Sequence, residues 1–113
     1  MAEFRFKDLD GTGLISIRGR FTLMDKDDFQ GVLADNVDLD SQDVALDLRE
    51  LDYVDSSGIG DFIKLKMEAT KRNNSVFVFG LKDAVEKAFK SARLDSVFTI
   101  LSDDESNQKF NLG

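Results

Sequence analysis

Val44-Ala45-Leu46-Asp47-Leu48, and shortly after it Asp55-Ser56-Ser57-Gly58-Ile59-Gly60, form the stretch that decides how this chain folds. Val44, Leu46 and Leu48 alternate with Ala45 and Asp47 at the period of a strand, whereas Ile59, Phe62, Ile63 and Met67 recur at helical spacing. Paired hydroxyls therefore sit where a buried strand gives way to a helix. Ser56 is placed close to the helix N-cap. There a side-chain oxygen satisfies an orphan N–H, and the positive end of the helix dipole tolerates negative charge. Such a junction suits a phosphate. Asp and Ser are also the commonest helix starters, so a plain cap is the competing reading. Gly58 and Gly60 tilt the balance: glycine within a helix costs about 1 kcal/mol against alanine, and a bare helix face lets another protein's backbone come close.

Working outward, Phe4 and Phe6 alternate with Arg5 and Lys7 as a short edge strand, and Gly11-Thr12-Gly13 turns the chain into Leu14 to Arg18 as a hairpin. Thr22 is suited to cap a helix carrying Phe29, Val32 and Leu33, with Asp25 at the third helical position as a weak capping box and an end near Asn36. The helix after Gly60 runs to about Arg72, where Asn73-Asn74 stops it. Val76-Phe77-Val78-Phe79 is apolar on both faces, which suits a central strand covered on both sides. Val85, Ala88, Phe89 and Ala92 mark another helix, Val97 to Leu101 a last strand, and Ser102 with Glu105 a capping box for a terminal helix. Helices following successive strands imply an α/β fold with a mixed, mostly parallel sheet.

The 113 residues read as one domain, 1–113, with an ordinary apolar content of 42% and ten Phe that serve packing. A net charge of −7 disfavours direct nucleic-acid contact and anionic membranes as partners. No Cys and no His are present, which removes disulfides, thiolate metal sites, cysteine nucleophiles and the usual general base. No apolar run approaches the roughly 18 residues of a membrane span, so no membrane insertion and a cytoplasmic location are expected.

Other motifs lack their context. Asp8-Leu9-Asp10-Gly11-Thr12 has the Asp-x-Asp-Gly-Thr form of the haloacid dehalogenase phosphotransferases, but it follows an alternating strand and fits a hairpin turn, with Asp8 and Asp10 as turn residues. Asn36, Asp38 and Asp40 have calcium-loop spacing, but Ser41 stands where that loop needs Gly. Gly58-x-Gly60 has neither the lysine of a P-loop nor a third glycine. No catalytic residue, metal ligand or cofactor site is assigned.

Taken together, Val44 to Leu48, Leu51-Asp52-Tyr53-Val54-Asp55-Ser56-Ser57-Gly58-Ile59-Gly60, Val76 to Phe79, Val85-Glu86-Lys87-Ala88-Phe89 and Leu94-Asp95-Ser96-Val97-Phe98 closely resemble the STAS domain (sulphate transporter and anti-sigma factor antagonist), specifically the stand-alone bacterial antagonists. The resemblance implies a central sheet with helices packed mainly on one side. It also implies partner switching. The unphosphorylated antagonist binds an anti-sigma factor with serine kinase activity and frees a sigma factor, phosphorylation releases it, and a PP2C-type phosphatase resets it. The acceptor in the family motif is the serine after Asp, here Ser56, with Ser57 the alternative. Partner contacts are expected at Thr22, Asp55, Ser56, Ser57, Gly58, Ile59, Gly60 and Asp61. Thr22 stands where the family often has Asp, and Ala92-Arg93 where a Gly commonly precedes Leu94. The alternative function is a non-switching scaffold or sensor subunit of a signalling or lipid transport complex.

Overall fold

Turn chemistry sets the first hairpin. Strand β1 (Ala2–Leu9) runs antiparallel to β2 (Thr12–Phe21), with Leu9 opposite Thr12. Asp10 and Gly11 between them have φ of 43° and 96°, the left-handed pair a two-residue hairpin uses to match strand twist. Asp8 thus lies in β1, and only Asp10 of the two aspartates is a turn residue.

The computed structural model describes residues 1–112. After the hairpin come a 3-10 turn (Leu23–Asp25), α1 (Lys26–Asn36), β3 (Asp43–Val54), α2 (Ser56–Lys71), β4 (Val76–Phe79), α3 (Asp83–Ser91), a second 3-10 turn (Leu94–Ser96), β5 (Thr99–Leu101) and α4 (Asp103–Phe110). The sheet order is β1-β2-β3-β4-β5, antiparallel at the first pair and parallel at the other three. The mixed, mostly parallel α/β sheet is as expected. β4 is internal, flanked by β3 and β5, while β3 is the middle strand.

Strand alternation sorts the core into two layers. Ile15, Ile17, Val44, Leu46, Leu48, Val76 and Val78 face α1, α2 and α3, which bring Phe29, Phe62, Leu65, Val85 and Phe89. Phe4, Phe21, Phe29, Phe62, Phe89 and Phe98 form a chain of ring contacts with centroids 5.1–6.0 Å apart. A fully buried ring contributes about 1.5–3 kcal/mol, so this chain is a large part of the fold's stability. The opposite face is smaller: Leu14, Ala45 and Phe79 are covered by Phe110 of α4, with Phe77 beside them.

β3 is longer than the alternation of Val44 to Leu48 suggests. Its pairing with β2 shifts between Ser16 and Arg18 and again between Gly19 and Arg20, so β3 carries one extra residue at each place. Arg49 and Glu50 are both exposed at the first shift, and Leu51 and Val54 then return to the core face. Bulges of this kind bend a strand and re-aim the residues beyond them. Here they re-aim the strand end that leads into Asp55.

Candidate functional site

Two helix starts meet at the C-terminal ends of β2 and β3. At the first, Thr22 is extended and its hydroxyl accepts the Met24 N–H at 3.3 Å, while the Asp25 carboxylate accepts the Thr22 N–H at 3.0 Å. The expected capping box is therefore present, entered through a 3-10 turn. Asp25 is buried and also accepts the Ala2 N–H at 2.9 Å, which fastens the start of β1 to the start of α1. Burial alone pushes this carboxyl up. The N–H groups of Ala2 and Thr22, the N-terminal ammonium and the Thr22 hydroxyl outweigh it and hold the group below its ordinary value.

At the second start the cap is Asp55, and Ser56, placed close to the cap by the sequence, is the first helical residue. Asp55 is extended, with φ −92° and ψ 179°, and its Oδ1 accepts the Gly58 N–H at 2.8 Å. Its Oδ2 accepts the Leu23 N–H at 3.1 Å, and its own N–H donates to the Phe21 carbonyl at 3.1 Å. One carboxylate thus joins the two helix starts. Asp55 serves the third N–H of α2 and leaves those of Ser56 and Ser57 to other acceptors.

The eight residues expected at a partner surface divide. Ser56 and Gly60 are exposed; Thr22, Asp55 and Ser57 are half-buried; Gly58, Ile59 and Asp61 are buried. Gly58 is bare for an internal reason. A Cβ there would lie 2.7 Å from Val54 Cγ2 and 3.1 Å from the Phe21 carbonyl oxygen, so its missing side chain lets α2 close on β2 and β3. At Gly60 a Cβ would meet nothing within 4 Å, and its backbone faces open space. Asp61 is 5% exposed, with Oδ1 3.6 Å from Lys26 Nζ. Of the three aspartates at residues 52, 55 and 61, Asp52 is exposed, Asp55 half-buried and Asp61 buried.

Periodicity gave no sign of two apolar residues beside this junction. Leu23 and Met24 are 62% and 86% exposed, and Leu23 is tied to Asp55 through its N–H. Thr22 as cap with Asp25 at the third position leaves residues 23 and 24 on the outer side of a single turn. Arg20 covers the Tyr53 ring at 4.2 Å on the neighbouring strand ends. Among the described residues no group of His, Cys, Asp or Glu could hold a metal. Asp38 accepts the Asp40 N–H and the Ser41 hydroxyl at 3.0 and 2.9 Å, and Asp40 pairs with Arg72.

A family model described as "Mlab, STAS domain" matches residues 4–102. The chain belongs to the STAS domain family. Solved structures share its fold. A Thermotoga maritima protein provisionally assigned as an anti-sigma factor antagonist is 16% identical with a TM-score of 0.80, over 96% of this chain and 94% of that one. An anti-sigma factor antagonist from Mycobacterium paratuberculosis is 16% identical with a TM-score of 0.77, over 98% and 95%. SpoIIAA, an anti-sigma factor antagonist, in its unphosphorylated form, is 14% identical with a TM-score of 0.75, over 98% and 99%. No curated protein sequence gives a significant match. No described helix of this STAS domain is long and apolar enough to cross a membrane.

Proposed function

We propose that residues 1–113 form a STAS domain acting as a phosphorylation-controlled anti-sigma factor antagonist. The unphosphorylated form binds an anti-sigma factor with serine kinase activity and frees a sigma factor; phosphorylation of Ser56 releases it, and a PP2C-type phosphatase restores it. The observation that carries this reading is the exposure of Ser56 as the first residue of α2, next to a cap that is already filled by Asp55. Its hydroxyl has no structural task there, and a kinase can reach it. The exposed pair Leu23 and Met24 adds apolar contact area to the same end of the fold.

A phosphate on Ser56 adds about −1.5 to −2 charges beside Asp52 and Asp55. Within the domain the N-terminus of α2 tolerates that charge. At an interface the same charge must be desolvated against whatever covered Ser56, and a loss of only ~3 kcal/mol weakens binding more than a hundredfold. Binding reverses without refolding. Bacillus SpoIIAA, which shares the fold at 14% identity with a TM-score of 0.73, has been solved in a phosphorylated form, which supports this reading.

The test is incubation with ATP and a candidate kinase, followed by intact mass and phosphopeptide mapping. Ser56→Asp should release an identified anti-sigma partner, and Ser56→Ala should stay bound with kinase and ATP present. Because Asp55 is the cap, Ser56→Ala should cost almost no stability. Modification at Ser57 or nowhere, with Ser56→Asp binding as tightly as the natural sequence, sinks the switch. The second reading, a non-switching scaffold or sensor subunit of a signalling or lipid transport complex, would then hold; the family model's description, which names Mlab beside the STAS domain, favours it.

A further inference from the structure

α1 buries only Phe29 completely; Leu33 and Val37 stay half-buried, as does Leu39 just beyond the helix. Together with Leu65 of α2 they wall a groove of about 370 Å³ between the two helices, at the low end of the size range of small-molecule sites. Walls of this kind take an apolar chain. The few polar groups of such a cleft then decide what the other end of the ligand carries.

Five charged side chains line the groove, and four of them are neutralised within the domain. Asp61 turns Oδ1 to Lys26 Nζ at 3.6 Å, and its Oδ2 is shut away from the surface. Arg72 joins Asp40 at 2.9 Å and Glu68 at 3.1 Å, and Glu68 also has Lys71 Nζ at 3.4 Å. Lys64 is left. It is exposed on the lining, and no carboxylate of the described residues lies within pairing distance of it. The charge that the groove offers a ligand is therefore a single cation on a flexible stem. Gln30, half-buried on α1, adds an amide N–H donor to the same lining. An ammonium group would find no free anion here. A carboxylate at the end of an apolar chain meets both demands: its tail covers Leu33, Val37, Leu39 and Leu65, and its head pairs with Lys64.

We propose that the groove between α1 and α2 is a binding site for medium-chain monocarboxylates, with Lys64 as the residue that recognises the carboxylate. The site lies on the helix that begins with Ser56, but it is independent of the phosphorylation reading, and neither phosphate transfer nor partner release enters its test.

The probe is octanoate, titrated into the full chain and followed by amide and methyl NMR shifts and by calorimetry. Two controls keep the eight-carbon tail: octanol removes the charge, and octylammonium reverses it. Octanoate should bind one to one, with shifts at Leu33, Val37, Leu39, Lys64 and Leu65, and affinity should rise about two- to fourfold per methylene from hexanoate to octanoate. Each control should bind about five- to tenfold more weakly than octanoate. Lys64→Met keeps an unbranched stem at an exposed position and removes the charge, so it should lower octanoate to the affinity of octanol and leave octanol unchanged. Ala34→Trp fills the groove from an exposed position on its lining, so all binding must disappear. Octanol binding as tightly as octanoate, octanoate affinity unmoved in Lys64→Met, binding retained in Ala34→Trp, shifts scattered over the surface, or no saturation at millimolar concentration would each overturn the proposal.

Discussion

Alanine at Gly58 and at Gly60, two positions apart on α2, should change stability in opposite directions. A Cβ at Gly60 meets no atom within 4 Å, so the variant gains only what alanine brings to an exposed helical position, about 0.5–1 kcal/mol. At Gly58 the new methyl would sit 2.7 Å from Val54 Cγ2, 3.1 Å from the Phe21 carbonyl oxygen and 3.2 Å from Phe21 Cδ2. Val54 is β-branched and 5% exposed and Phe21 is fully buried, so neither can swing aside. The first turn of α2 must lift instead. Overpacking of this kind costs about 1–3 kcal/mol, offset by the same propensity gain, for a net loss of about 0.5–2 kcal/mol. The two variants should differ by about 1–3 kcal/mol, which at a urea slope of roughly 1–3 kcal/mol per molar separates their midpoints by roughly 1 M. Urea titrations followed by far-ultraviolet circular dichroism read this directly. Equal stabilisation by both alanines would refute the close approach of Gly58 to Phe21 and Val54.

Asp55→Ala removes the acceptor for both Gly58 and Leu23 N–H groups and should cost about 1.5–3 kcal/mol, with faster amide exchange at those two positions; unchanged exchange at Leu23 would show that the bond between the helix starts carries nothing. At acid pH, Asp25 and Asp47 should dominate, since both are held below the ordinary value of 3.8 in the folded state. For Asp47, burial pushes the carboxyl up, but the Arg49 side chain and N–H and the Ser16 hydroxyl outweigh it. A depressed folded value means that the stabilisation is complete above the unfolded value and is lost as pH falls through the folded one. Urea midpoints should therefore be flat down to about pH 5 and drop below about pH 4, less steeply in Asp25→Asn; a midpoint unchanged from pH 5 to 3 contradicts this.

Much of the fold was legible because local chemistry and periodicity agree. The Thr22 and Ser102 capping boxes, the doubly apolar Val76 to Phe79 and the stop at Asn73, with φ 58°, are all signals within a few residues. The second half of β3 was not, because its two bulges break the period of two that identifies a strand. The site was legible as a junction but not in its division of labour. Asp55 rather than Ser56 is the cap, Gly58 is spent on an approach to Phe21, and Asp61 is buried on α2. The cap is a local choice between two good cap residues, whereas the Asp55 bond to Leu23 and the approach of Gly58 to Phe21 depend on residues far away in sequence, whose proximity only the folded sheet creates.

Because the order of strands across the sheet is also their order along the chain, each strand pairs with one that has already left the ribosome when it emerges. The hairpin can close first, and β3, β4 and β5 then add in turn to an edge that is waiting for them, so no strand has to hold a place for a later one. α4 arrives last and is the element that covers Phe79, with Phe77 beside it, on the second face. From the pairing of β2 with β3 until α4 is made, this chain consequently shows an apolar sheet surface to its surroundings, Leu14 and Ala45 first and Phe79 after them.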